Sequence, residues 1–196
     1  MKRSIFSFIL TLFLTIPVLS QASSYQIDPD HSSIQFKVRH LMVSNVKGDF
    51  NKAKGSVMID DNNITDLKVE LTIETASVNT GHAKRDEHLR NPDFFDVAKY
   101  PTITFVSRKV MKAGSDKLIV TGDLTIHGVT REVTLDVDGP TPEVKDPWGN
   151  FRRGATATGK INRKDFGLTW NRALETGGVV VGEDVDISVE IELVRK

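Results

Sequence analysis

The residues of this chain with the means to do chemistry are few, and their spacing excludes most of it. There are five histidines (His31, His40, His82, His88 and His127) and no cysteine. Without a thiol there is no thiol catalysis, no thiolate metal site and no disulfide. His88 stands beside Asp86 and Glu87, and His40 follows Asp30, so acid–base pairs can be written for both. No Gly-x-Ser-x-Gly elbow accompanies them, and no spaced carboxylates fall on one recognisable face, so an exported hydrolase is the weaker reading. Metal ligation fares no better. No two histidines have His-Glu-x-x-His or His-x-His spacing, and His82 and His88 are six apart, out of phase for one helix face. No catalytic residue, metal ligand or cofactor is predicted.

The frame around these residues is built of strands. Alternation of apolar and polar residues dominates the chain, and period two marks half-buried strands. Ser33–Leu41 alternates with Ile34, Phe36, Val38 and His40 on one face. Leu67, Val69, Leu71 and Ile73 repeat the pattern, and so do Val185, Ile187, Val189, Ile191 and Leu193. Further strand-like runs lie at 46–50, 54–60, 102–110, 117–126, 129–138 and 151–162, separated by turn signals such as Asp60-Asp61-Asn62-Asn63 and Gly139-Pro140. His127-Gly128 reads as a two-residue hairpin turn. It sets Ile126 opposite Val129, Leu124 opposite Arg131, Gly122 opposite Val133, Val120 opposite Leu135 and Leu118 opposite Val137. That face is apolar except for Arg131.

The chain has 196 residues, with Lys and Arg balancing Asp and Glu at 26 each. The balance gives no basic excess for nucleic acid or an anionic membrane surface. Lys2 and Arg3 precede an apolar run from Ile5 to Ile16, too short for the roughly 20 residues of a membrane-spanning helix. Ser20-Gln21-Ala22 then supplies the small residues of a secretory cleavage site. Residues 1–22 are expected to be a signal peptide cleaved after Ala22, leaving one domain over 23–196. With no cysteine to carry a lipid anchor, the expected location is periplasmic or secreted.

Eight or so antiparallel strands allow a sandwich or a closed barrel. Arg153, Ala155, Ala157, Gly159 and Ile161 share a strand face, and three of them are very small. Such a face either lets another element approach closely or borders open space. An eight-stranded barrel is about the size that holds one ligand.

One stretch, RDEHLRNPDFFDVAKYP (85–101), interrupts the strands. His82 to Arg90 has helix-compatible composition, and Asn91-Pro92 ends it, because the residue before proline avoids the α region. Phe94 and Phe95 follow. Two exposed adjacent phenylalanines would favour aggregation, so both are expected to face inward. The segment reads either as a plug for one barrel end or as a satellite cluster capping a filled core.

Four blocks, HSSIQFKVRHLMVSNVKGDF (31–50), SVNTGHAKRDEHLRNPDFFDVAKYPTITF (77–105), GDLTIHGVTREVTL (122–135) and INRKDFGLTWN (161–171), together resemble the YceI-like family of bacterial exported proteins. The resemblance runs along essentially the whole chain after the leader. It implies an all-β fold, a single eight-stranded antiparallel lipocalin-like barrel with a short helical segment near 82–90. It implies a binding protein for polyisoprenoids, quinones or similar long lipids held lengthwise inside, and it does not imply catalysis. On that footing Phe36, Val38, Val69, Leu71, Ile73, Phe94, Phe95, Phe105, Leu124, Ile126, Ile187 and Val189 are expected to line or border the interior, with Phe166 and Trp170 as further candidates. His40, Arg85, His88, Arg131 and Arg163 are the candidates for a polar head or mouth. Trp148 is expected to pack on the rim. The partners implied are a long-chain lipid and a transient membrane or membrane-protein contact, with monomer and homodimer both open. The rival reading is a filled-core β module acting through protein contacts.

Overall fold

The computed structural model describes residues 22–175 and 177–196; the expected leader, residues 1–22, lies outside them except for Ala22. Twelve strands and one α-helix follow in chain order: β1 (Ser23–Ile27), β2 (Ser33–His40), β3 (Ser44–Phe50), β4 (Ala53–Ile59), β5 (Lys68–Glu74), β6 (Val78–Asn79), α1 (Ala83–Arg90), β7 (Thr102–Lys112), β8 (Lys117–Ile126), β9 (Val129–Asp138), β10 (Val144–Lys145), β11 (Phe151–Asn162) and β12 (Val181–Arg195). Eight of these close into an antiparallel ring in the order β1-β4-β5-β7-β8-β9-β11-β12, and β12 returns to β1. The barrel expected from the sequence is therefore present, and closure leaves the ring without free edges.

The alternating runs fold as strands because alternate side chains turn inward. The β8–β9 hairpin has the register read from the sequence, from Ile126↔Val129 to Leu118↔Val137. Its turn is possible because both central residues take positive φ, His127 at 51° and Gly128 at 74°, the pairing that matches strand twist. β1 was not among the strands expected, yet it closes the ring: Tyr25 pairs with Val57 on one side and Arg195 on the other. β12 is long enough to serve three neighbours. Along one edge it pairs with β11. Along the other it pairs first with β2 (Ile187↔Phe36) and then with β1 (Leu193↔Ile27). β3 and β6 extend the leaf begun by β2.

The interruption is a short helix, α1, followed by turns. His82 caps it, and the chain leaves the helix at Asn91, just before Pro92. Arg90 fastens it to the barrel by donating from Nε to the Ala76 carbonyl at 2.8 Å and from Nη2 to the Val78 carbonyl at 2.7 Å. Phe95 then packs edge-on to Phe50, with ring centroids 5.7 Å apart.

The interior is unevenly filled. Tyr25, Ile59, Leu193 and Phe166 are fully buried. In contrast Val69, Leu71, Val133, Leu135, Ala157, Val185 and Ile187 point inward and remain only half-buried. An inward side chain that keeps accessible surface faces space rather than neighbours.

Candidate functional site: an apolar cavity through the barrel

That space is a cavity of about 240 Å³, larger than the roughly 150 Å³ void that takes up a benzene. Its wall runs from Leu67, Leu118 and Pro140 near one end of the barrel to Leu89, Phe94, Leu168 and Val181 near the other. Of the residues named from the sequence, Phe36, Val38, Val69, Leu71, Ile73, Phe94, Phe95, Phe105, Leu124, Ile126, Ile187 and Val189 all lie on this wall. Phe166 does not. It is packed in the solid core beside the cavity, and Leu168, two residues on, takes the wall position. Trp170 stands outside the wall, 5.2 Å from the Phe94 ring and 5.1 Å from the His88 ring, so it backs the aromatic end rather than lining it. Trp148 does not pack on the rim; it is 81% exposed.

The small residues of β11 do two different things. Ala155 and Ala157 border the cavity. At Gly159 a Cβ would fall 2.6 Å from Leu135 Cδ2, so there the missing side chain admits a neighbour. Gly122 likewise makes room for the Phe105 ring, 2.6 Å from where its Cβ would be. Leu118, Val120, Val133, Leu135 and Val137 also line the cavity; the hairpin register already placed them on one face, which was the signal for them. Leu89 and Pro140 carried no such signal.

Of the five polar candidates, only Arg163 is on the wall. Arg85 is committed to Thr80, donating from Nε to Oγ1 at 2.7 Å and from Nη2 to the carbonyl at 2.9 Å. His88 Nε2 meets Asp93 Oδ2 at 2.9 Å while its ring stands edge-on to Phe94. Arg131 is exposed at the hairpin end and donates to the Thr130 carbonyl. His40 ends β2 beside Ser44 and Val181, past Val38, the last wall residue of its strand.

The end of the barrel near Pro140 is tied by a polar cluster. Arg153, on the same face as the two alanines, donates from Nε to Tyr25 Oη at 2.9 Å and from Nη2 to Asp61 at 2.6 Å. Tyr25 in turn donates to Glu143 at 2.5 Å, and Arg195 reaches the same carboxylate at 3.0 Å. Burial, and then the Glu143 carboxylate, push the Tyr25 phenol above its ordinary value, so it stays a neutral donor. Next to this cluster Arg152 bridges Asp28, Asp146 and Glu192 at 2.7, 2.7 and 2.5 Å. The guanidinium holds Asp28 down to about 2 and Asp146 well below the carboxylate range. Asp28, His31 and Glu192 are the one grouping among the described residues with metal-like spacing. Arg152 already sits on both its carboxylates, and that positive charge opposes a cation there.

Comparison with known proteins agrees with this geometry. The family model described as the YceI-like domain matches residues 25–193. A UPF0312 protein of Vibrio parahaemolyticus is 40% identical over 200 residues, covering 100% of both chains. Among solved structures, a Campylobacter jejuni YCEI protein superposes with a TM-score of 0.68 at 35% identity, covering 81% of this chain and 90% of the other. A polyisoprenoid-binding domain from Saccharophagus degradans has a TM-score of 0.65 at 19% identity, covering 89% and 99%; at that identity the likeness is one of fold.

Proposed function

This chain belongs to the YceI-like family, and from that premise we propose that it binds a long apolar amphiphile, a polyisoprenoid, quinone or similar lipid, lengthwise in the barrel. The observation that carries the proposal is the hollow interior: a continuous apolar wall reaching from Pro140 to Phe94 and Leu168. A chain laid in it gains roughly 25 cal/mol for each Å² of apolar surface withdrawn from water, which needs no specific contact. Cavity length then selects tail length. The name of the Saccharophagus degradans domain supports the same ligand class for the same fold. The wall residues named above are the proposed tail-binding residues. Among the described residues the cavity wall carries no His, Asp or Glu to act as a base, and binding without turnover is our reading.

The N-terminal leader, with its basic start, apolar run and small residues before Ser23, supports export and action outside the cytoplasm. In that compartment the protein carries, stores or senses its lipid between membranes. The half-buried inward residues weigh against a filled-core module. The test is organic extraction of the mature protein, purified from its own host, followed by mass spectrometry beside a carrier-protein control. A stoichiometric isoprenoid-like or quinone-like amphiphile is expected. A repeatedly empty extract would refute the carrier reading. N-terminal sequencing of the exported protein is expected to begin at Ser23.

A further inference from the structure

Arg163 is the only charged residue on the cavity wall among the described residues, and it is only 4% exposed. It opens the short 3-10 turn Arg163–Phe166 that follows β11. Its partners are all backbone carbonyls. Nε donates to Gly182 at 2.8 Å, Nη2 to Val181 at 3.3 Å, and Nη1 to Leu168. These contacts clamp the turn to the start of β12 but are neutral. No carboxylate forms an ion pair with Arg163 among the described residues. The nearby Glu183 is engaged by Lys164 at 2.5 Å. A guanidinium carries five N–H donors, so one hydrogen on each Nη has no partner among the described residues. Burial lowers the Arg163 pKa from its ordinary value, and the more distant Glu183 opposes that in part; the side chain remains a cation. A buried charge without a counter-charge is costly, and the other buried arginine at the barrel interior, Arg153, has its carboxylate in Asp61.

We propose that Arg163 is the head-group anchor of the cavity and that the protein prefers amphiphiles ending in an oxyanion, a phosphate or a carboxylate, whose head lies at the Phe94–Leu168 end. The inference rests on the lipid-binding reading and adds the head chemistry to it. An oxyanion supplies the missing counter-charge and accepts the two free N–H groups, a fork geometry that suits both heads. The tail then runs from Leu168 towards Pro140.

The experiment uses two ligand pairs with matched tails, oleate against oleyl alcohol and geranylgeranyl phosphate against geranylgeraniol, titrated into delipidated protein. Charge-assisted contacts of this kind are expected to favour the anion by about 10- to 100-fold. Arg163→Gln is expected to erase that ratio while the alcohols still bind. A preference within the oleate pair alone assigns a carboxylate head; one within the phosphate pair alone assigns a phosphate head. Because Arg163 also clamps a turn, a second readout uses wild-type protein only. The carboxyl group of ¹³C-labelled oleate, when bound, is expected to titrate at or below its ordinary range of about 4–5, whereas an apolar cavity without a cation would raise it. Equal affinities within both pairs, an unchanged ratio in Arg163→Gln, or a raised carboxyl pKa would overturn the anchor and leave the carrier reading intact. Failure of all four ligands to bind would overturn both.

Discussion

Ala157→Leu distinguishes a hollow barrel from a filled one by the sign of its effect. Ala157 lies mid-strand in β11, between Val137 of β9 and Val189 of β12, with its methyl group on the cavity wall. In a core packed to crystal density, adding this bulk costs about 1–3 kcal/mol. Facing an open space of about 240 Å³, the added carbons have room. Three of them leave water for apolar surroundings, a gain of about 2.4 kcal/mol at about 0.8 each. Fixing the leucine rotamer offsets about 0.5–1 kcal/mol. The net is a stabilisation of about 1.5 kcal/mol, or a rise of about 3–6 °C in Tm for a domain of this size. The assay is calorimetry on delipidated wild type and variant, with displacement of a fluorescent fatty-acid probe measured in parallel. A higher Tm with weaker probe binding is expected, because the leucine occupies the ligand's place. A Tm lowered by several degrees with probe binding unchanged would mean that the space at Ala157 is not there, and the argument from half-buried inward residues would fail with it.

Three further outcomes follow from the geometry. Asp28, held at about 2 against an ordinary 3.8, stabilises the fold fully above its unfolded value and loses that contribution as pH falls through about 2, and Asp146 acts in the same direction. Wild-type Tm is therefore expected to be level down to about pH 4 and then to drop, while Arg152→Gln starts lower and drops less over the same interval; parallel curves would dismiss the bridge. Gly128→Ala places a Cβ 2.4 Å from Tyr100 Cε1 at a φ of +74°, and urea unfolding is expected to show a loss of roughly 1–3 kcal/mol. With two tryptophans in the chain, Trp148→Phe leaves Trp170 as reporter. Its emission is expected to shift on lipid addition through Phe94, whereas Trp170→Phe leaves the exposed Trp148 with no response.

Much of the barrel can be read from alternation alone. The β8–β9 hairpin needs only His127-Gly128 and ten apolar-or-polar decisions to reach its observed register. β12 announces itself by five apolar residues in step from Val185 to Leu193. β1 escapes because Ser-Ser-Tyr-Gln-Ile offers only two inward side chains, Tyr25 and Ile27. Alternation also cannot tell a filled face from a hollow one. Ala157 and Gly159 are both small and both inward, yet Leu135 fills the space at Gly159 while Ala157 faces the cavity. The difference lies in a residue on another strand. The polar candidates expose the same limit. Arg85 and His88, on α1, find partners just outside the ends of their own helix, Thr80 and Asp93. The partners of Arg153, by contrast, come from β1 and the turn after β4. Phe166 and Trp170 sit in one motif with Leu168, and only the turn at Gly167, with φ +79°, decides which of the three meets the cavity.

β12 has a consequence for how the molecule assembles. It pairs with strands from the opposite end of the chain, Leu193 with Ile27 and Val189 with Ile34. The β4–β5 pair and the β7-β8-β9 meander join strands close in sequence, with β6 and α1 lying between β5 and β7, but the ring cannot close until these distant partners meet. Contacts of such long sequence separation place the protein among the slow folders, on a scale of about milliseconds to seconds. Any sheet still open before closure would present the future cavity wall as its inner face. The apolar surface that later suits a lipid is then the surface most prone to aggregate, and closure of the last strand both hides it and completes the container.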